Sequence, residues 1–93
     1  MALKVSNKVE RKLSTKHKVS IQEVHDCFAN RERGFLEDIR EEHKTIPPSQ
    51  WFIADTDYGR KLKIVFVAVG RDIHIKSAYE ANAKEIEIYN KFA

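Results

Sequence analysis

The sequence is poor in the residues that support several classes of protein. Its 93 residues include one cysteine, Cys27, three glycines and two prolines. A single cysteine excludes an internal disulfide and a cysteine-rich zinc site. Three isolated glycines supply no glycine-rich phosphate-binding loop. The sequence has no run of about 18 apolar residues that would span a bilayer, and its N-terminus lacks the apolar stretch of a secretion signal. We therefore expect a cytoplasmic protein.

The composition predicts one small folded domain over residues 1–93. Hydrophobic residues make up 42% of the chain and charged residues 33%, which suffices for a single modest core. The net charge is 17 − 14 = +3. The basic excess lies at the N-terminus, because residues 1–18 contain six Lys or Arg and one acid, Glu10.

Two helices are predicted in the N-terminal third. Val5, Val9 and Leu13 recur every four residues, as on one face of a helix, with Ser6 or Asn7 as its N-cap. A second helix starts after Ser20, because Glu23 three residues later completes a capping box. The two helices are expected to form a hairpin with its hinge at residues 17–19.

The rest of the chain predicts strands and a last helix. Alternation suggests a short strand near residues 35–40, followed by an exposed loop, and then strands at 51–55, 60–69 and 73–79 separated by glycine-containing turns. Asn82 and Glu85 form a second capping box before a C-terminal helix. The fold class predicted is α+β, with two N-terminal helices, a four-stranded antiparallel sheet and a C-terminal helix.

Strand alternation also predicts a cationic sheet face. If the helices cover Leu62, Ile64, Phe66, Ile73 and Ile75, with Ser77 on the same side, the opposite face carries another set of residues. Those residues are Lys61, Lys63, Val65, Val67, His74, Lys76 and Ala78, and the three lysines with His74 supply the positive charge. Lysines beside a titratable histidine suit a phosphodiester ligand, although exposed lysines are equally common on solvated faces.

Other patterns offer less chemistry. The four histidines, His17, His25, His43 and His74, lack metal-ligand spacing, so no metal site is predicted. Cys27 falls on an apolar helix stripe and fits a small core residue. The acidic run at residues 37–42 is either a solvated loop or a binding site for a cation or a basic partner.

Several motifs, in order, resemble those of BrnT-type toxins of bacterial type II toxin–antitoxin modules. They are KHKVS at 16–20, WFI at 51–53, GRKLKIVF at 59–66 and IHIKSAY at 73–79. Glu85 falls where that family keeps a glutamate on its last helix. The chain departs from the family at Tyr79, where the family usually has Arg, and at Lys18, where it has Gly.

The resemblance implies a RelE/ParE-like fold and a ribonuclease that arrests translation by metal-independent attack of the ribose 2′-OH. The catalytic residues expected are Lys61, Lys63, His74 and Tyr79. The RNA-binding residues expected are Arg60, Lys76, Lys16 and His17. Glu85 and Trp51 are expected to be orienting or structural.

No cofactor is implied. The implied partners are RNA, with or without the ribosome, and a cognate antitoxin, and the assembly expected is a homodimer or a toxin–antitoxin hetero-oligomer. The alternative reading is a non-catalytic module of the same fold that binds nucleic acid or protein.

Overall fold

The computed structural model describes residues 2–38 and 47–93, and within them helices flank a mixed β-sheet on both faces. Most of the predicted acidic run and His43 lie outside the described residues. The elements in chain order are β1 (Ala2–Lys4), α1 (Asn7–Lys12) running into a π-helix (Leu13–His17), α2 (Ile21–Asn30), β2 (Leu36–Glu37), β3 (Ser49–Asp55), β4 (Lys61–Val69), β5 (Asp72–Glu80) and α3 (Ala83–Phe92).

Among the described residues the sheet has five strands in the order β1-β5-β4-β3-β2. β1 pairs parallel to β5, with Lys4 opposite His74, and the other pairs are antiparallel. The prediction of a four-stranded, wholly antiparallel sheet is therefore wrong. The missed strand is only three residues long, too short for alternation to reveal, and long-range pairing with β5 creates it.

The predicted helices are confirmed, with local reasons for their ends. The Ser6 side chain caps α1 by accepting a hydrogen bond from Val9 N. Lys18 ends the π-helix in the left-handed conformation at φ 55°. Both capping boxes form, Ser20 with Glu23 on α2 and Asn82 with Glu85 on α3.

A β-bulge changes which residues share a face of β5. Val65 pairs with Ser77 but its neighbour Phe66 pairs with Ile75, so Lys76 is the extra residue. The bulge brings Ala78, which is fully buried, onto the core face with Ile75. The predicted placement of Ser77 with the core residues and Ala78 opposite them is therefore wrong.

The core lies mainly between the sheet and the N-terminal helices. Phe28 of α2 packs edge-on against Phe52 and Phe66. On the other face α3 packs Tyr89 against Trp51, with ring centroids 5.7 Å apart. Within the described residues no helix is long and apolar enough to cross a bilayer.

Candidate functional site

Five of the predicted site residues meet in one chain of contacts, which we call the Tyr79 cluster: His17, Trp51, Lys63, Tyr79 and Glu85. Oε2 of Glu85 accepts hydrogen bonds from Lys63 Nζ at 2.9 Å and from the Tyr79 hydroxyl at 3.0 Å. The Tyr79 ring lies against His17, with centroids 5.5 Å apart. The Lys63 ammonium lies 4.5 Å from the centroid of the Trp51 ring. The His17 imidazole thus contacts the Tyr79 phenol, and the phenol and the Lys63 ammonium both donate to the Glu85 carboxylate.

Sheet register and a helix cap together build the Tyr79 cluster. Lys63 and Tyr79 are directly paired across β4 and β5, so their side chains leave the same face of the sheet. Asn82 starts α3 immediately after β5 and places Glu85 in the first turn. Glu85 Oε1 accepts a hydrogen bond from Asn82 N at 3.0 Å while Oε2 holds Lys63 and Tyr79. The capping carboxylate therefore also fastens α3 to the sheet.

Burial and neighbouring charges shift the pKa values of three groups of the Tyr79 cluster, Glu85, Tyr79 and His17. Burial tends to raise the pKa of Glu85, but the Asn82 N–H and the Lys63 ammonium outweigh it and lower that pKa below 4.5. Burial raises the pKa of Tyr79. Burial lowers the pKa of His17, and the charges of Lys16 and Lys12 lower it further. At neutral pH the cluster therefore holds a neutral imidazole, a protonated phenol and an ionised carboxylate.

Lys63 is not on an open cationic face, and that prediction is wrong. The residue is only 7% exposed, because Trp51 and α3 cover it. Sequence alternation placed Lys63 on the correct face but could not show that α3 lies over that face.

Lys61 and His74 lie apart from the Tyr79 cluster. Lys61 forms an ion pair with Asp55 at 2.9 Å, and both side chains are about half exposed. His74 is exposed and pairs with Val67, four residues along β4 from Lys63. That separation is about 13 Å at ~3.3 Å per residue.

The predicted phosphate-binding residues fall into two groups. Lys16 and the bulge residue Lys76 are exposed near the edge of the sheet. Arg60 instead has its donors engaged within the chain. It forms ion pairs with Glu23 at 3.2 Å and Glu80 at 2.9 Å, and it donates hydrogen bonds to backbone carbonyls at the end of the π-helix. Those acceptors are His17 O at 3.1 Å and Lys18 O at 2.6 Å.

Lys12 lies beside the Tyr79 cluster and affects His17, although the sequence did not single it out. Its Nζ donates a hydrogen bond of 3.2 Å to the carbonyl of Lys76, the bulge residue, and its charge acts on the His17 imidazole. The Lys12, Lys16 spacing of four residues on one helix was the signal available, since such residues share a face.

Two cavities flank α3. One of about 760 Å³ lies between β2 and α3 and includes Trp51, Lys63 and Glu85 of the Tyr79 cluster in its lining. The other, of about 480 Å³, is lined by Asn30, Arg33, Asp55, Lys61 and Tyr89 among others. The larger cavity therefore gives access to the cluster from the α3 side.

The described residues indicate neither a reactive cysteine nor a metal site. Cys27 is fully buried, and burial together with neighbouring carboxylates raises its pKa to about 12, so it is not a thiolate nucleophile at neutral pH. Within residues 2–38 and 47–93 no group of three or more His, Cys, Asp or Glu side chains is placed to hold a metal ion.

Comparison with known proteins assigns no family. Neither the protein-family models nor the curated proteins include a match to this chain. The resemblance to BrnT-type toxins therefore stays a prediction.

Proposed function

We propose that this protein is a metal-independent endoribonuclease with a RelE/ParE-like fold, acting through the Tyr79 cluster. The observation that carries the proposal is the contact of His17 with Tyr79, whose hydroxyl donates to the Glu85 oxygen that also accepts a hydrogen bond from Lys63. Metal-independent cleavage of RNA needs a proton acceptor, a proton donor and positive charge within a few ångströms of one phosphate. The cluster contains all three.

Each group has a role consistent with its protonation state. The neutral His17 imidazole accepts the proton of the ribose 2′-OH, and the 2′-oxygen attacks phosphorus. The P–O5′ bond breaks as the Tyr79 phenol gives its proton to O5′, which is a far stronger base than phenolate. Lys63 stabilises the charge that develops on phosphate and phenolate. The products are a 2′,3′-cyclic phosphate and a 5′-hydroxyl.

The remaining residues would bind and orient. Lys16 and Lys76, both exposed, would hold flanking phosphates. Glu85 would act as a positioning residue, because it fixes the Tyr79 hydroxyl and the Lys63 ammonium at one oxygen. A cognate antitoxin, and RNA on or off the ribosome, remain the proposed partners.

A second candidate function is a non-catalytic module that binds RNA or protein. The observation in its favour is the Lys63–Glu85 ion pair, whose side chains are 9% and 17% exposed and already satisfy each other. Such a pair also serves simply to attach α3 to the sheet.

The test uses two variants that preserve the covered ion pair, since Lys63→Ala would leave Glu85 without its ammonium partner. His17→Ala and Tyr79→Phe are each compared with a matched control on an exposed residue, His25→Ala and Tyr58→Phe. Expression of the wild-type chain should arrest growth and generate RNA fragments with cyclic-phosphate and 5′-hydroxyl ends. The two cluster variants should lose both effects, and the two controls should keep them.

The outcomes separate the two functions. Folded wild-type protein that binds RNA without producing new ends favours the non-catalytic module. Cleavage that persists in both His17→Ala and Tyr79→Phe would contradict the assignment of the Tyr79 cluster as the reacting site.

A further inference from the structure

The cavity of about 480 Å³ beside α3, which we call the Asp55 pocket, has a polar wall with no net charge. It lies between the end of α2, the end of β3 and the last turns of α3. Its charged lining residues balance at 2 − 2 = 0, and they are Arg33, Lys61, Glu32 and Asp55. The pocket therefore suits a ligand group that is polar but uncharged.

Two hydrogen-bond acceptors of the Asp55 pocket have no partner within residues 2–38 and 47–93. Asp55 uses Oδ1 for its ion pair with Lys61 at 2.9 Å, which leaves Oδ2. Asn30 uses its Nδ2 to donate to Asp55 O at 3.0 Å and to Asp57 Oδ1 at 2.9 Å, which leaves its Oδ1. The two remaining acceptors therefore come from residues that are in direct contact.

Donors come from the α3 side of the same pocket. Arg33 Nη1 donates to the carbonyls of Asn90 and Ala93, each at 3.2 Å, which holds the guanidinium against the end of α3. The other donors of Arg33, Nε and Nη2, have no acceptor in the described part of the chain, and neither has the side-chain amide of Asn90. Acceptors and donors thus line two sides of one cavity.

The lining of the Asp55 pocket also has an apolar part. Ile53 and Tyr89 are buried beneath the pocket, and Ile86 of α3 is partly exposed beside them. A flat ring with apolar faces and a hydrogen-bonding edge matches such a combination. The bases of single-stranded RNA are rings of this kind, and proteins bind them by their edges once they are unstacked.

Sheet register places the Asp55 pocket close to the Tyr79 cluster. Asp55 pairs with Lys61 across β3 and β4, and Ile53 pairs with Lys63. Lys61 and Lys63 are two residues apart, so they leave the same face of the sheet, about 7 Å from each other at ~3.3 Å per residue. A nucleotide next to one held at Lys63 would therefore have its base within reach of the pocket.

We propose that the Asp55 pocket binds a guanine base. Guanine has two adjacent donors, N1–H and the 2-amino group, and the acceptors O6 and N7. Asp55 Oδ2 and Asn30 Oδ1 would accept from the two donors, and Arg33 would donate to O6 or N7. Adenine lacks the N1–H and the 2-amino group, so it leaves both protein acceptors unpaired. The consequence that RNA is cut next to guanine rests on the proposed ribonuclease, but the binding of the base does not.

The experiment compares three mononucleotides that differ only in the base: guanosine, inosine and adenosine 5′-monophosphate. NMR titration of ¹⁵N-labelled protein measures their affinities, and the side-chain amides of Asn30 and Asn90 report on the pocket itself. Guanosine monophosphate should bind at least about tenfold more tightly than adenosine monophosphate. Inosine monophosphate, which keeps N1–H but lacks the 2-amino group, should have an affinity between the two.

Matched variants separate the Asp55 carboxylate from its ion pair. Asp55→Ala removes the acceptor and should weaken guanosine monophosphate about tenfold. Lys61→Ala breaks the same ion pair but keeps the carboxylate, so it should retain the preference for guanine. Glu87→Gln removes an exposed acid of α3 outside the pocket and should change nothing. The three side chains are exposed, so the variants are expected to fold, and their NMR spectra check this.

Several results would overturn the proposal. Equal affinity for the three nucleotides would show attraction to phosphate alone. Equal losses in Asp55→Ala and Lys61→Ala would show that the ion pair, and not the carboxylate, matters. Free arginine that perturbs the Asn30 and Asn90 amides more strongly than guanosine monophosphate would make an amino acid the ligand. A preference for guanine in a protein that cuts no RNA would overturn the proposed function and leave the pocket assigned.

Discussion

The hydroxyl of Tyr79 donates a 3.0 Å hydrogen bond to Oε2 of Glu85, six residues later, and so joins the last strand to the last helix. The same carboxylate oxygen accepts the Lys63 ammonium. One carboxylate therefore holds a side chain from β5 and another from β4, and it caps α3 with its second oxygen. The same atoms stabilise the fold and would carry out the proposed chemistry. Variants must therefore be tested for their effect on stability separately from their effect on activity.

Tyr79→Phe should cost little stability but alter the ionisation of Glu85. The ring contact with His17 is retained, and the loss of one hydrogen bond to a partly buried carboxylate that keeps two other donors costs about 1.5 kcal/mol. Because that hydrogen bond helps to lower the pKa of Glu85, the pKa should rise in the variant. NMR titration of Glu85 and urea unfolding would measure both effects. The control Tyr58→Phe, at a fully exposed hairpin tip, should change neither stability nor the Glu85 titration. An unaltered Glu85 titration in Tyr79→Phe would show that the Tyr79 hydroxyl does not affect the ionisation of Glu85.

Glu85→Gln should have a larger effect that depends on pH. Removing the carboxylate leaves the covered Lys63 ammonium unpaired, at a cost of about 3 kcal/mol near neutral pH. The folded-state pKa of Glu85 lies below its ordinary value of 4.5. Its contribution is therefore present above pH 4.5 and is lost as the pH falls through the folded-state pKa. Stability curves against pH should converge for wild type and variant in acid, and a constant difference between them would contradict this linkage.

Arg60 and Lys61 are adjacent cations for which we predict different effects. Arg60 bridges Glu23, Glu80 and the end of the π-helix, so Arg60→Ala should destabilise the protein by about 2 kcal/mol. Lys61 has one exposed ion pair with Asp55, so Lys61→Ala should cost about 0.5 kcal/mol or less. Urea unfolding of the two variants measures the contrast. Similar losses of stability in the two variants would show that the contacts of Arg60 contribute no more than one exposed ion pair does.

The sequence predicted those features that depend on neighbours three or four residues apart. Both capping boxes, Ser20 with Glu23 and Asn82 with Glu85, are present where the pattern placed them. The hinge after His17 is also present. These contacts are local, so the residue types at fixed spacing suffice to specify them.

The features that the sequence did not reveal depend on residues far apart in the chain. β1 exists because it pairs with β5, some 70 residues away, and the bulge at Lys76 arises from how β5 fits β4. The meeting of His17 with Tyr79 requires the N-terminal hairpin to pack against the sheet edge. A pattern of alternating residues contains no information on which face a distant helix will cover, so the burial of Lys63 was not predictable.

Lys18→Gly should stabilise the fold. Lys18 has φ 55°, which costs a residue with a Cβ about 1 kcal/mol relative to glycine. The contact from Arg60 is to the backbone carbonyl and is kept in the variant. Lys16→Gly, inside the π-helix, is the matched control and should destabilise by about 1 kcal/mol. Thermal unfolding of both variants tests the prediction, and a lower melting temperature for Lys18→Gly would show that its side chain contributes more than the strain costs.

Lys16→Gln should raise the pKa of His17. Burial lowers that pKa first, and the charge of Lys16 on the preceding residue adds to the effect, so removing the charge should return the imidazole towards its ordinary value of 6.5. Lys8→Gln, on the same helical segment but absent from the causes of the shift, should leave the pKa unchanged. NMR titration of the imidazole measures both variants. Because a lowered pKa keeps His17 neutral and able to accept a proton at neutral pH, the acidic limb of a cleavage profile should move to higher pH in Lys16→Gln. A limb that stays in place while the His17 titration shifts would exclude His17 as the proton acceptor.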